Sequence, residues 1–423
     1  MSASRWRPYL DLHADDPFWT DADGTLSRGA LGAAVDARAR ELQAAGWTEG
    51  RRYPLEAVPT RGTLVTLLGA LAAGCSVVLL PLREPAARRR ELAAALDIAT
   101  ARPGQLWVRT SGTGGRARWL VHSPSTLMAA AEAATTRVGF GRGSAWRVSL
   151  PLDHVGGLSL VWRALVSGGG LVAVDHPTET HRSLVPTQLH RALVSGAVDE
   201  LRRLRCLLLG GAPLPASLRE AALAAGLPLR VSYGLTETGA FVAASLPGDP
   251  LLACADYVGR PLWPSQLAIS AGGEVLVAGP SLAAWQADDD GHESTLTLDA
   301  EGWLATGDLG RLAGDALYVS GRRDNLIISG GEKLAAEELE AALLSLPGVL
   351  EAVVVAVEHA EFGQRPVAFL TCEDAAAWTV DRVREALRDH LAAWKLPDRV
   401  LDLPRGDGLK ADRAVLRRLA REG

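Results

Sequence analysis

Lysine is nearly missing from this chain. Of 44 basic residues, only Lys333, Lys395 and Lys410 are lysines, and the rest are arginines. A GC-rich coding bias explains the scarcity. It also draws attention to the lysines that survive, because a planar guanidinium does not always imitate a compact ammonium. Cysteine is scarce too. Cys75, Cys206, Cys254 and Cys372 stand far apart, with no metal-ligand spacing and no dense disulfide framework. They read as buried thiols of a reducing cytosol. Excess positive charge is absent: the net charge is −5, which speaks against nucleic-acid binding. The first residues lack an apolar stretch of signal-peptide type, so a cytoplasmic protein is expected.

A membrane span is missing as well, although one segment needs testing. Residues 62–82, "GTLVTLLGALAAGCSVVLLPL", carry no charge and approach the roughly 20 residues that cross a bilayer. Gly74 divides them. The first half is Ala/Leu-rich and helical, and the second is β-branched. A buried helix running into a buried parallel strand is predicted instead.

What is present is a soluble globular composition, 48% hydrophobic and 22% charged over 423 residues, long enough for two to three domains of about 150 residues. The helix–Gly–strand unit recurs at 158–175. Residues 201–234 run strand, Gly turn, helix, strand. This order predicts an α/β fold, with mostly parallel sheets flanked by helices. From about residue 256, short strands separated by Gly and Asp turns predict an antiparallel region. After "SGGEKL", the order is helix ("AAEELEAALLSLPGV"), two strands, and a helix over 379–394. These make a small α+β unit. A boundary near Gly321–Asp324 gives a large domain 1–322 and a small C-terminal domain 323–423.

Five stretches carry chemistry. "RTSGTGGRARWLVHS" (109–123) follows an apolar pair, Trp107-Val108. Its glycines free backbone N–H groups for an anion, its hydroxyls add donors, and Arg116 and Arg118 add charge. It is not a P-loop of Walker type, since Arg116-Ala117 follows Gly115. A polar surface loop is the plainer alternative. In "VSYGLTETGA" (231–240), Tyr233 suits a flat ring, Thr236 a phosphate and Glu237 a hard cation such as Mg²⁺. The alternative is a strand end capped by Thr236 or Thr238. In "GWLATGDLGRL" (302–312), Asp308 suits a ribose diol or an ordinary hairpin turn. In "GRRDNLIISGGEKLAAEELE" (321–340), Arg322 suits the same ribose or a phosphate. "PRGDGLKADRAVLRRL" (404–419) holds Lys410 in a polar turn before a terminal helix.

The order of these stretches resembles that of the acyl-adenylate-forming enzymes, which include acyl- and aryl-CoA ligases, luciferases and peptide-synthetase adenylation domains. "TSGTGGRAR" is similar to the family's phosphate loop, "GGAPL" (210–214) to its adenine-side turn, and "YGLTET", "TGDLG", "GRRDNLIISGGEKLAAEELE" and "GLKADR" follow in sequence. The resemblance runs from about residue 64 to the end. Gly114, Ala117 and Arg118 stand where the family usually has Thr, Pro and Lys. The region before the phosphate loop is short for the family. Within it, "LPLDHVGGLSLVWRAL" (150–165) and "DNLIISGGEKL" look most like the o-succinylbenzoate–CoA ligases of menaquinone biosynthesis.

The resemblance implies ATP, Mg²⁺ and coenzyme A, with a small carboxylic acid as substrate. It implies adenylation of the acid, then transfer to the CoA thiol. Thr110, Ser111, Gly112, Thr113, Gly114, Gly115 and Arg118 are implied to hold phosphates. Gly211, Ala212, Pro213, Tyr233, Gly234, Asp308 and Arg322 are implied around the nucleoside. Lys410, Thr236 and Glu237 are implied in catalysis, with Glu237 on the metal. His154 and Gly210 fall on the acyl side. Asp324 falls at the hinge, and Gly330 and Gly331 beside the CoA arm. Another aryl- or acyl-CoA ligase and a carrier-protein-loading adenylation enzyme are the alternatives, with a non-catalytic nucleotide-binding protein more remote. The sequence is compatible with a homodimer.

Overall fold

The computed structural model describes residues 5–96, 102–110, 117–374, 378–404 and 412–422. Its largest sheet has thirteen strands. One half is parallel: Pro17–Asp21, Gly170–Val172, Ala145–Arg147, His181–Leu184, Cys206–Leu209 and Leu229–Leu235 lie side by side. The other half is antiparallel, from Ala240–Ala244 through Tyr257–Pro261, Ala316–Arg322 and Leu304–Ala313 to Glu274–Ala278 and Gln266–Ile269. A six-stranded sheet holds the parallel strands Arg52–Glu56, Ser76–Leu80 and Leu106–Thr110. Arg118–His122, Trp285–Ala287 and Glu293–Thr295 extend it antiparallel.

The uncharged run resolves as expected. Helix Arg61–Ala72 leads through Gly74, at φ +87°, into the fully buried strand Ser76–Leu80. Among the described residues, no helix is long and apolar enough to cross a membrane. The helices Arg28–Ala44, Arg61–Ala72, Pro124–Val138 and Val155–Ser167 contribute to one large core, which includes Trp6, Trp19, Trp146 and Trp162. Tryptophan fills space here that Phe and Tyr fill elsewhere.

Sheet membership changes over the short 3₁₀ turn Arg323–Asn325. The strand before it belongs to the thirteen-stranded sheet. The strand after it, Leu326–Ser329, pairs with Glu332–Ala335 and with Gly363–Cys372. Gly363–Cys372 also pairs with Val349–His359 and, in parallel, with Arg399–Asp402. Helix Ala336–Leu344 and helix Val380–Leu387 share a separate core with Ile327, Val354 and Leu370.

The expected helix over 379–394 ends at Leu387. The reason lies in Arg365, which is buried. Its guanidinium donates to the Trp394 and Leu396 carbonyls, the Ser329 hydroxyl and the Asp398 carboxylate. An unsatisfied buried guanidinium costs more than a turn of helix yields, so the chain breaks helix to wrap it.

Gly234 illustrates how tightly the two halves of the large sheet are joined. A Cβ there would lie 1.9 Å from the Ala240 carbonyl oxygen and 2.3 Å from the Phe241 Cα. Both atoms are backbone and cannot step aside. Gly234→Ala is expected to destabilise the chain by about 3 kcal/mol, read as a lower midpoint in urea unfolding.

Candidate active site

Leu106–Thr110 and Arg118–His122 pair antiparallel, with Thr110 opposite Arg118. Ser111, Gly112, Thr113, Gly114 and Gly115 lie outside the described residues. Arg118, where the loop re-enters the sheet, donates from Nη2 to Glu237 Oε1 at 2.5 Å and from Nη1 to Gln286 Oε1 at 2.7 Å. Gln286 sits on the strand Trp285–Ala287, which pairs with Arg118–His122.

Glu237 belongs to the short turn Thr236–Thr238, at the end of the strand Leu229–Leu235. The capping role falls to Thr238. Its buried hydroxyl accepts from the Leu235 N–H at 3.0 Å and lies 2.7 Å from the Ala240 carbonyl. Thr236 keeps its side chain free of that duty and is half-buried. The Ala283 N–H fixes the Glu237 carbonyl at 2.7 Å. Ala240 holds φ at +135°, a conformation that a Cβ makes costly by roughly 1–3 kcal/mol. The pairing of Leu235 with Ala240 sustains it. Such strain concentrates where geometry must be held for function.

The second group lies across two antiparallel strands, where Asp308 and Arg322 are register partners. Arg322 Nη1 donates to Asp308 Oδ1 at 2.9 Å, and the Tyr233 hydroxyl donates to Asp308 Oδ2 at 2.7 Å. Burial, and then the Asp308 charge, push the Tyr233 hydroxyl well above its ordinary pKa, so it remains a donor. The Tyr233 ring is part of a buried cluster with Leu120, Val242 and Val275. Gly307, at φ +77°, leaves room for Arg322, whose Nη2 would lie 2.8 Å from a Cβ at that position. The Gly307 N–H is held by Glu274 Oε1 at 2.7 Å, and the other Glu274 oxygen accepts from Arg323 at 2.6 Å.

Gly210 follows the strand Cys206–Leu209, and a Cβ there would lie 2.5 Å from the Ser232 hydroxyl. Gly211, Ala212 and Pro213 after it are exposed, with Gly211 at φ +78°. His154 is the N-cap residue of helix Val155–Ser167 and is half-buried. Gly330 and Gly331, at φ +61° and +87°, form the two-residue turn between Leu326–Ser329 and Glu332–Ala335, a conformation that glycine adopts without penalty. Asp324 is exposed, 3.9 Å from Arg322 Nη2. Lys410 lies outside the described residues.

Two residues that the sequence reading missed stand out. Arg163 is 2% exposed, in the helix that His154 caps. Its guanidinium is sandwiched between Trp146 and Phe241, at 4.9 and 4.6 Å from the ring centroids. Among the described residues, no carboxylate pairs with it. Burial pushes its pKa down to about 9, which leaves it a cation at neutral pH. Phe241 lies on the strand that follows the Thr236–Thr238 turn, so this charge sits behind the site. An arginine set among apolar residues on every side, as in "LSLVWRALV", is the signal that exposes it. The second residue, His122, is fully buried on the strand that carries Arg118.

Comparison with known proteins completes the picture. Residues 107–284 match the family described as AMP-binding enzyme, and residues 338–406 match AMP-binding enzyme C-terminal domain. The chain is 33% identical to 2-succinylbenzoate–CoA ligase of Escherichia coli K12, with 97% of each chain covered. It superimposes on the structure of an E. coli MenE variant with bound OSB-AMS at a TM-score of 0.85, with 30% identity over 100% of this chain and 99% of that one. The Bacillus subtilis o-succinylbenzoate CoA synthetase, solved with its acyl-adenylate intermediate OSB-AMP, shares the fold at a TM-score of 0.83, with 24% identity over 97% of each chain. By these matches the chain belongs to the AMP-binding enzymes, the acyl-adenylate-forming family.

Proposed function

We propose that the chain is an ATP-dependent acid–CoA ligase that takes o-succinylbenzoate, an enzyme of cytoplasmic menaquinone biosynthesis. The observation that carries the acyl assignment is Arg163. A buried cation without a counter-ion is costly, and it is retained where a ligand supplies the missing anion. o-Succinylbenzoate has two carboxylates. One must be activated, and the other is then available to Arg163. The rings of Trp146 and Phe241 offer an apolar wall for an aromatic acid.

In the first half-reaction, an acid oxygen attacks the α-phosphorus of ATP, and pyrophosphate leaves. Both partners are anionic, so charge neutralisation and alignment dominate the barrier. Lys410 bridges the carboxylate and the α-phosphate in this reading. Thr110, Ser111, Thr113 and Thr236 hold phosphate oxygens, and Arg118 replaces the family's lysine. Asp308 accepts from the ribose hydroxyls, oriented by Tyr233 and Arg322. Gly211, Ala212 and Pro213 flank the adenine, and Gly210 and His154 face the acid. In the second half-reaction, the CoA thiol attacks the acyl carbon, and AMP leaves with its electron pair.

Glu237 suits Mg²⁺. Arg118 engages its Oε1, and its Oε2 makes no bond to a described residue, so one hard oxygen remains for a cation whose other ligands are phosphate and water. When bound, the ion would screen phosphate charge.

The domains 1–322 and 323–423 must close to bring Lys410 to the phosphate loop, then turn about Asp324 to present Gly330-Gly331 to the pantetheine arm. The change of sheet over Arg323–Asn325 supports a hinge there. A panel of acids, each with ATP and CoA, tests the assignment through AMP and acyl-CoA formation. o-Succinylbenzoate is expected to lead by at least ~100-fold in kcat/KM, within the discrimination that a built polar contact gives over its absence. Equal rates across aryl and aliphatic acids would overturn the substrate, and activity with a carrier protein but not with CoA would overturn the acceptor.

A further inference from the structure

The strand Arg118–His122 makes two bonds to the turn that holds Thr236 and Glu237. One is the Arg118–Glu237 ion pair. The other comes from His122, four residues along the same strand and fully buried. Its Nε2 lies 2.7 Å from the Thr236 carbonyl oxygen. A carbonyl only accepts, so Nε2 carries the hydrogen. Nδ1 faces the Thr126 hydroxyl at 3.3 Å, and that hydroxyl also lies 2.8 Å from the Ser123 carbonyl. Burial holds the His122 pKa down to about 4, so the neutral ring is a one-sided donor toward Thr236.

We propose that His122 is a positioning residue for adenylation. It fixes the Thr236–Glu237 turn against the strand Arg118–His122, so that turn and strand hold one geometry. The inference rests on the ligase reading above. The three-residue turn has one side-chain cap, Thr238, on its inner side. The Thr236 carbonyl accepts from the Gly239 N–H at 3.2 Å and from His122 at 2.7 Å, and removing the ring takes away the shorter of these two bonds, the one that ties the turn to the strand Arg118–His122. The turn then tilts at Thr236 and Glu237, the two side chains that meet phosphate and metal. Displacements of this kind cost most where near-attack geometry is demanded.

The test compares His122→Gln with His122→Leu in the two half-reactions. Gln can donate from Nε2 at similar reach, and Leu cannot donate. Adenylation is followed by acid-dependent exchange of labelled pyrophosphate into ATP, and thioester formation by CoA consumption of supplied acyl-adenylate. His122→Leu is expected to lose ~30-fold or more in exchange kcat, in line with a misplaced catalytic group, while thioester formation stays within about twofold. His122→Gln is expected to recover most of the exchange rate. Mn²⁺ binding in the presence of ATP, read by electron paramagnetic resonance, gives a second measure that needs no turnover, and His122→Leu should weaken it. Equal loss in both half-reactions would make His122 a general packing residue. Full exchange in His122→Leu would remove the role altogether. No exchange in the unsubstituted protein would instead strike the ligase reading, and the Mn²⁺ arm would then decide the positioning claim.

Discussion

Replacing Lys410 by Ala abolishes acid-dependent pyrophosphate exchange, by roughly 10²–10³-fold or more, and leaves thioester formation from a supplied acyl-adenylate nearly intact. This is the largest split the account expects. The reason is charge. An acid anion and a triphosphate must meet, and a compact ammonium placed between them stabilises what forms only in the transition state. The second half-reaction attacks an already activated anhydride and does not need that ammonium. Lys410→Arg should recover little, because the planar guanidinium is longer and directs its donors differently. A Lys410→Ala variant with normal exchange would remove this residue from the chemistry. Equal loss of both half-reactions would place it in folding instead.

Replacing Arg163 by Met separates stability from specificity. The guanidinium is buried between Trp146 and Phe241, with no carboxylate partner among the described residues. Burial disfavours its charged form and lowers its pKa to about 9. The unfolded chain therefore binds this proton more tightly than the folded one, and below about pH 9 the charge works against folding. A neutral side chain of similar reach relieves that cost. Without acid, Arg163→Met should unfold at the same urea concentration as the parent chain or a higher one. With o-succinylbenzoate, its kcat/KM should fall roughly 100-fold or more, the expected penalty for a buried charge that has lost its partner. KM for ATP should be unchanged. A variant that loses stability while keeping o-succinylbenzoate selectivity would show Arg163 to be a packing residue.

Much of the fold was legible because its signals are local. The uncharged run 62–82 divides at Gly74, and the structure places helix and strand on either side of it. The strand–turn–helix order over 201–234 follows from continuous apolar strands and a Gly-rich turn. Asp308 and Arg322 were each marked as nucleoside residues, and the register of two antiparallel strands brings them into contact. The remainder depends on tertiary contacts. The helix after Thr379 stops early because Arg365, in a strand more than a dozen residues away, needs the carbonyls of Trp394 and Leu396. His122 matters through Thr236, 114 residues along the chain, and no spacing rule connects them. Arg163 stands out locally as a charge in an apolar run, but its partners Trp146 and Phe241 lie on separate strands and only three dimensions show them.

The same contrast applies within the site. Residue types announce chemistry: Thr, Gly and Arg for phosphate, Glu for a hard cation, Asp for a diol. Orientation belongs to the surroundings. Tyr233 orients Asp308, Glu274 holds Gly307, and Thr238 caps the turn that carries Glu237. The Thr238 cap is local and was among the sequence options, whereas the Tyr233–Asp308 and Glu274–Gly307 contacts join strands far apart in sequence and follow from no spacing.

One comparison tests the central claim most directly: exchange of labelled pyrophosphate into ATP, driven either by o-succinylbenzoate or by 4-oxo-4-phenylbutanoate, which lacks the ring carboxylate. The account predicts exchange only when an acid is present, and a preference for the dicarboxylate of roughly 100-fold that vanishes in Arg163→Met. Exchange at equal rates with both acids, or exchange with no acid at all, would contradict it.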